Sequence, residues 1–430
     1  MKQTLLMYIL LLFGVVGAFV KGPFYGAAVY YLFAILRPQY IWDWALPPGM
    51  RWSFYVAIAT IAASLLWLRS DSRNGWLKPG SAAMLLFGLW VTLSYFFAID
   101  SDVAFKYYIE YLKIFVMFFI SILIVREFSQ IRVLYLVAVI SLGYLAYEIN
   151  ALYFFSHRLD VFHYGYGGLD NNGAGLTIAM GIPMAYFLWQ AYTRWWRWLF
   201  LAIIPVMLHA VLMSYSRGAM VSLIIAVPLL TIRSVNRKSM IAVVVCLLML
   251  LPFLAGKEMR DRFFSVQQYE QDKSAQSRFD SWKAALGIAL DHPILGVGVR
   301  NSALFSKQYG ADMEGRTIHS IYLQIAADSG FPAMGFYLAT FFIAWRTLRR
   351  FQKQYRNSYE HRLAYNLACG LEAALAVFLI GGVFLSLETF ELPYLLILLA
   401  LQLPASVPVE EVSFTRYKTV EFEHAAAPAK

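Results

Sequence analysis

The sequence predicts an all-α, polytopic integral membrane protein with about twelve transmembrane helices and one large outward-facing loop that contains amphipathic helix. Two observations set this class. Of 430 residues, 60% are hydrophobic, 17% aromatic and only 14% charged, whereas a soluble chain carries roughly 25% charged residues; the mean hydropathy of +0.58 agrees. The apolar residues also fall in long runs rather than amphipathic stripes. A membrane-spanning helix needs about 20 apolar residues, so a dozen would occupy much of a chain that a soluble reading would divide into about three domains.

Taken in order, the apolar stretches are 4–20, 24–37, 53–68, 81–99, 107–125, 133–155, 173–191, 198–214, 218–232, 239–255, 320–345, 363–386 and 391–405. The first follows Lys2 in the manner of a signal peptide. No small-x-small cleavage site follows it, so it is expected to stay as an uncleaved segment. Basic residues mark alternate loops: Arg69, Arg73 and Lys78; Arg126 and Arg132; Arg194 and Arg197; Arg233, Arg237 and Lys238; then the cluster Arg346, Arg349, Arg350, Lys353, Arg356 and Arg362. The positive-inside rule makes these loops cytoplasmic. The segments 38–52, 100–106, 156–172, 214–217, 256–319 and 387–391 then face outward. The tail, with Arg416 and Lys418, also reads as cytoplasmic. Thirteen crossings would not allow that, so about twelve are expected. One of the first two stretches, split by Lys21-Gly22-Pro23, is then interfacial or re-entrant. The chain divides into an N-terminal transmembrane bundle (1–255), the outward loop (256–319), C-terminal transmembrane helices (320–405) and a tail (406–430).

The net charge of +10 is accounted for by these loops. No compact basic domain with an aromatic platform appears, so the expected partners include membrane lipids and no nucleic acid. Cys246 and Cys369 each lie inside an apolar run, which gives neither a disulfide framework nor metal-ligand spacing.

The loop 256–319 holds nine basic and eight acidic residues. Within it, Gln276 to Asp291 is predicted as a helix with Phe279, Trp282, Leu286 and Ala289 on one face, which suits a helix lying at the membrane surface. His292-Pro293 ends that helix. Gly296-Val297-Gly298 then makes a turn whose bare backbone can approach another segment closely.

Arg217, in Ser214-Tyr215-Ser216-Arg217-Gly218, lies where the positive-inside rule disfavours arginine. A snorkelling side chain is one reading. The neighbouring hydroxyls and Gly218 resemble an anion-binding turn at a helix N-terminus, and a guanidinium offers paired planar donors to phosphate oxygens. Arg278 alone reads as a surface arginine on the loop helix and gains interest from its company. His319 stands at the junction of loop and span with Tyr322 one turn further on. It is either a capping residue or a base able to accept a proton at neutral pH. His209 and Glu372 fall inside apolar runs, where ionisable groups mark function or an internal pair. The sequence has no phosphate-binding Gly-rich loop with Lys-Ser/Thr, no His-Glu-x-x-His and no Gly-x-Ser-x-Gly. The loop also has no Asp-x-Asp pair to hold a divalent cation. An enzyme of this kind is expected to use an already activated substrate without cofactor or metal.

The series Ser216-Arg217-Gly218, Ser277-Arg278, Trp282, His292-Pro293, Gly296-Val297-Gly298, His319-Ser320, Tyr322-Leu323 and Gly330 resembles the O-antigen ligase/polymerase superfamily. The likeness is closest to O-antigen ligases and exosortase-associated O-glycosylation ligases. Leu169-Asp170-Asn171-Asn172-Gly173 resembles the family as well. The motifs cover about residues 165–335. Ser320 stands where the family often has Asn, and Asp328 where Glu is common.

The resemblance implies transfer of a preassembled glycan from undecaprenyl pyrophosphate to an acceptor hydroxyl, without ATP or metal. In lipopolysaccharide ligation the acceptor is the lipid A-core. The implied location is the bacterial inner membrane, multi-pass, with the loop and active site on the periplasmic face. Arg217 and Arg278 would bind the pyrophosphate and His319 would take the acceptor's proton. Ser216, Trp282, Arg300, Tyr322 and Asn172 are supporting candidates. A single displacement would invert the anomeric configuration. O-antigen polymerases and protein O-oligosaccharyltransferases share this donor chemistry and differ in acceptor. A glycolipid transporter or flippase is the reading from another class, and would make His209 and Glu372 central.

Overall fold

The computed structural model describes residues 2–67, 77–156, 161–234, 236–254 and 273–407. Arg69 and Arg73, the first part of the expected outward loop, and the tail with Arg416 and Lys418 lie outside the described residues. Among the described residues a helix forms in each of the thirteen apolar stretches, and four short or extramembrane helices join them. In chain order these are α1 (Lys2–Val20), α2 (Pro23–Leu36), α3 (Pro38–Ile41), α4 (Trp52–Trp67), α5 (Pro79–Phe96), α6 (Ser101–Ile124), α7 (Phe128–Ala151), α8 (Val161–Tyr164), α9 (Asn171–Ala191), α10 (Arg197–Met213), α11 (Arg217–Arg233), α12 (Arg237–Leu254), α13 (Lys273–Asp291), α14 (Ser302–Phe305), α15 (Ile321–Tyr355), α16 (Arg362–Gly381) and α17 (Glu391–Ser406). Among the described residues the only β pairing is an isolated bridge between Tyr166 and Leu169.

Six of the described helices are long and apolar enough to cross a membrane: α1, α5, α6, α7 with its extension to Phe155, α9 and α16. Three shorter apolar helices, α4, α10 and α17, accompany them. Their outer faces carry exposed side chains such as Leu65, Leu66 and Phe96. This is the expected surface of a multi-pass membrane protein, because lipid rather than water covers apolar side chains.

The bundle is built around α9, whose residues from Gly173 to Gln190 are all buried among α7, α10, α11 and α16. Small residues let the backbones close up. An added Cβ at Gly181 would stand 3.0 Å from both Leu142 and Met207, and at Gly381 it would stand 2.3 Å from Leu176.

The two ionisable groups inside apolar runs find separate partners. Glu372 in α16 accepts hydrogen bonds from Arg233 Nε (2.8 Å), Gln352 Nε2 (2.8 Å) and Trp345 Nε1 (3.0 Å). It thereby clasps α11, α15 and α16 at one end of the bundle. His209 in α10 bonds through Nδ1 to Asn150 Oδ1 and stacks on Phe154 at 5.2 Å. The Asn150 amide nitrogen is already spent on Ala146 O (2.6 Å) and Val206 O (3.0 Å), so the histidine nitrogen is the donor. Each costly polar group is thus satisfied locally.

The loop helix α13 is longer than expected by three residues, and the face it buries differs from the apolar face read in the sequence. Ser281, Ala284, Ala285, Ile288 and Ala289 are buried, while Phe279 and Leu286 are exposed at 38% and 44%. Small side chains allow close packing on α15 and its flanks, where Ala285 and Ile288 meet Val297, Ile318 and Ala327. The larger apolar residues are left on the outer face, which is the pattern of a helix at a membrane surface.

The turn at Gly296 and Gly298 makes the close approach its composition suggests. Val297 N donates to Ala327 O (3.1 Å), Gly298 N to Asp328 O (2.8 Å), and Phe331 N to Pro293 O (2.9 Å). Helix α15 breaks at Gly330 to accept this strand of loop, with φ 82° and ψ 168°. A Cβ at Gly330 would lie 2.1 Å from Ile294 O. Gly330→Ala is therefore expected to lower the melting temperature clearly, since a strained backbone alone costs about 1–3 kcal/mol and the loop must also shift. Gly335, whose added Cβ would meet nothing within 4 Å, is the control. Thermal unfolding in detergent should separate Gly330→Ala from Gly335→Ala, and equal melting of the two would contradict this role of the break.

Candidate functional site

Four segments meet at one end of the bundle: the turn before α9, the turn between α10 and α11, the start of α13, and the residues around His319. Ser216 caps α11, its Oγ accepting from Ala219 N at 3.3 Å. That places Arg217 in the first turn, where the helix dipole favours bound anions. Ser216 Oγ also donates to Asn172 Oδ1 (3.0 Å), and Asn171 Nδ2 donates to Ser214 O (3.1 Å). These bonds fasten the N-terminus of α9 to the Arg217 turn. Asp170 caps α9, accepting from Gly173 N at 2.7 Å.

Phe384 is the hub. A Cβ at Gly218 would stand 3.1 Å from it, so the residue after Arg217 packs closely on Phe384. The Trp282 ring packs against Phe384 at 6.2 Å. Trp282 lies one turn beyond Arg278 on α13, so this contact ties the helix that carries Arg278 to the Phe384 segment. The Trp282 Nε1 is buried with no hydrogen-bond partner among the described residues. Ser281 Oγ donates to Ile318 O at 3.1 Å, which ties α13 to the residue before His319. Ile321 N donates to Gly382 O at 2.9 Å, which ties the residues after His319 to the segment carrying Phe384.

His319 is half-buried with φ 54°. Non-glycine residues rarely adopt this conformation. Among the described residues, positive φ outside glycine occurs at only four positions, and three of them, Tyr215, Arg300 and His319, lie in the segments just described or beside them. Such strain collects at functional sites. Burial lowers the His319 pKa from its ordinary value. The Arg278 guanidinium lowers it further, Asp170 opposes the shift, and Arg316 and Arg300 add to it. The imidazole is thereby kept neutral and able to accept a proton.

Two supporting candidates are tied to partners within the protein, although Arg300 Nε is buried with no hydrogen-bond partner among the described residues. The Tyr322 hydroxyl donates to Leu379 O, fixing the start of α15 to α16. Arg300 pairs with the buried Glu388 at 2.9 Å and lies 5.3 Å over the Tyr107 ring. Burial works against its charge, but Glu388 and Asp328 more than offset this and raise its pKa. Arg300 therefore acts on His319 through its field, and it is anchored in a separate cluster. His292 is exposed beyond the end of α13.

Four residues of this neighbourhood carry no signal of a role in the sequence. Phe384 reads as one more aromatic in an apolar stretch. Asp170 carries an N-cap signal, Asp followed three residues later by glycine, and nothing in the sequence ties it to a histidine 149 positions away. Arg316 pairs with Asp312 through Nε at 2.6 Å and reads as loop charge. Glu388 reads as loop charge too.

The described residues are all-helical, with six helices long and apolar enough to cross a membrane, and Arg278 lies close enough to His319 to lower its pKa. Residues 206–338 match the family model described as O-Antigen ligase. The chain is therefore similar to that family over about a third of its length. The matched stretch contains Ser216, Arg217, Arg278, Trp282, Arg300, His319 and Tyr322, while Asn172, Asp170 and Phe384 lie outside it. No curated protein matches the chain.

Proposed function

We propose that the protein transfers a preassembled glycan from undecaprenyl pyrophosphate to an acceptor hydroxyl, with the lipid A-core of lipopolysaccharide as the acceptor class, at the periplasmic face of the bacterial inner membrane. What supports this reading is that the segments carrying Arg217, Arg278 and His319 are each tied to the connection holding Phe384, through Gly218, Trp282 and the Ile321–Gly382 hydrogen bond. Arg217 and Arg278 bind the pyrophosphate and stabilise the charge that develops on it. His319 takes the proton of the acceptor hydroxyl as that oxygen forms its bond to the anomeric carbon. The bond from that carbon to the pyrophosphate oxygen breaks, and its electron pair leaves on undecaprenyl pyrophosphate. A single displacement inverts the anomeric centre. The donor carries its own leaving group, so the step needs no ATP, and the proposed mechanism uses no metal. Asn172 and Ser216 hold the Arg217 turn, and Trp282 sets the position of α13.

About twelve spans, with residues 256–319 outside and 346–362 inside, complete this reading. A transporter would rely on His209 and Glu372, and both are committed to protein partners. Polymerase and protein-glycosylating activities share the donor chemistry and remain the alternatives for the acceptor.

Topology is the first test. In a variant with Cys246 and Cys369 changed to serine, Lys283→Cys and Tyr359→Cys place single thiols on exposed positions of the two loops. An impermeant thiol reagent applied from the periplasmic side should label position 283 and spare 359. The reverse pattern would remove the periplasmic site and the mechanism with it.

A further inference from the structure

We propose that Asp170 is the counter-charge of His319: its carboxylate, mounted at the N-terminus of α9, stabilises the imidazolium that forms when His319 takes the acceptor's proton. This rests on the reading of His319 as the base. It adds a residue outside the matched stretch 206–338 to the proton-transfer step.

The geometry has three parts. Asp170 is held in place, because one carboxylate oxygen accepts from Gly173 N at 2.7 Å at the start of a helix that is buried from Gly173 to Gln190. Its turn is fastened to the site through the bond from Ser216 Oγ to Asn172 (3.0 Å) and that from Asn171 Nδ2 to Ser214 O (3.1 Å). The same turn packs on the segment that positions His319. An added Cβ at Gly173 would lie 3.5 Å from Leu387, and Gly382 of that segment accepts the Ile321 N–H at 2.9 Å.

The charges show why a counter-charge is needed. His319 feels Arg278 from α13 and Arg316 and Arg300 from the loop, and all three oppose protonation; Asp170 is the carboxylate that favours it. Arg217 stands at the start of the neighbouring α11. Arg316 and Arg300 are each paired with a carboxylate of their own, Asp312 and Glu388. A base surrounded by guanidiniums is well placed beside pyrophosphate but resists becoming a cation. An opposite charge nearby offsets that resistance, and the cap at the start of α9 holds the Asp170 carboxylate in place. The proton moves from the acceptor oxygen to the imidazole and goes no further, as in the aspartate–histidine pairs of hydrolases.

Asparagine caps a helix about as well as aspartate, so Asp170→Asn removes the charge and keeps the cap. Two readouts are taken on the purified protein in detergent or liposomes. The first is the pH dependence of diethyl pyrocarbonate modification of His319, followed by peptide mass spectrometry. Its midpoint should move toward acid by about one pH unit. The second is glycan transfer, which should fall about tenfold or more, with its acid limb moving the same way. A loss of cap alone would move neither the midpoint nor the limb. Asp170→Ser, which also caps without charge, should behave like Asp170→Asn and serves if the asparagine variant folds poorly. An unmoved midpoint in a folded variant overturns the assignment of Asp170 even where His319→Ala is inactive. Full transfer by His319→Ala removes the base, and the counter-charge with it.

Discussion

Replacing His319 by alanine is expected to leave binding of the undecaprenyl-pyrophosphate glycan intact and to lower transfer by about 10²–10⁴-fold, the usual contribution of a positioned base. A sugar hydroxyl is a poor nucleophile at neutral pH, so removing its proton in the transition state matters most. The pH profile carries the same information. Burial and Arg278 lower the His319 pKa, so the neutral base persists to more acid pH than for a free histidine near 6.5. Transfer should hold steady through neutral pH and fall only as pH drops below that lowered pKa, where imidazolium can no longer accept a proton. An acid limb above the ordinary histidine range would contradict the assignment. His292 and His163 are the controls, and their alanine variants should transfer normally. Loss of donor binding in His319→Ala would make the residue a pyrophosphate contact instead.

Arg217→Ala and Arg278→Ala are expected to weaken donor use by roughly ten- to a hundredfold each, because a hydrogen bond to a charged group contributes about 1.5–3 kcal/mol. Lysine at either position should restore only part of this, since a point charge lacks the planar paired donors that fit phosphate oxygens. Arg278 has a second signature. Its guanidinium lowers the His319 pKa, so Arg278→Gln should move the acid limb toward higher pH, opposite to the shift expected for Asp170→Asn. Measured donor KM and pH profiles, on variants that reach the membrane in normal amounts, read both effects. Unchanged donor use in all of these variants would make both arginines ordinary surface residues.

The helices were legible because the lipid environment imposes long apolar runs, and most ends fall within a few residues of the expected ones. However, α6 starts at Ser101 rather than 107 and α15 runs beyond 345 to Tyr355, because charged residues such as Arg346 and Lys353 still continue a helix once it leaves the apolar stretch. The turn at Gly296 and Gly298 was legible for a related reason, since two glycines beside a proline imply bare backbone against a neighbour, and the break at Gly330 supplies that neighbour. Partners were not legible. Glu372 and His209 stand out in apolar runs because burial makes them costly, but Arg233 and Asn150, which satisfy them, are 139 and 59 residues away. The inward face of α13 also eluded the apolar pattern. Alanines and a serine pack inward there, while Phe279 and Leu286 face out, because a surface helix in a membrane protein has apolar neighbours on both sides. In the site, Arg217, Arg278 and His319 are chemically conspicuous residue types. Phe384, which packs against Trp282 and beside Gly218, looks like any aromatic in a span. The link from Asp170 to His319 exists only once α9, α11 and the α16–α17 connection have packed.

The most direct measurement is reconstitution of the purified protein in liposomes with a defined undecaprenyl-pyrophosphate glycan and a panel of acceptors, lipid A-core among them, without ATP and with a chelator present. The expected result is a glycan joined to the acceptor in inverted anomeric configuration with equimolar release of undecaprenyl pyrophosphate, abolished by His319→Ala. Lengthening of the donor-linked glycan itself would replace ligation with polymerisation. No transfer to any acceptor, or transfer that survives loss of His319, would contradict the proposed chemistry.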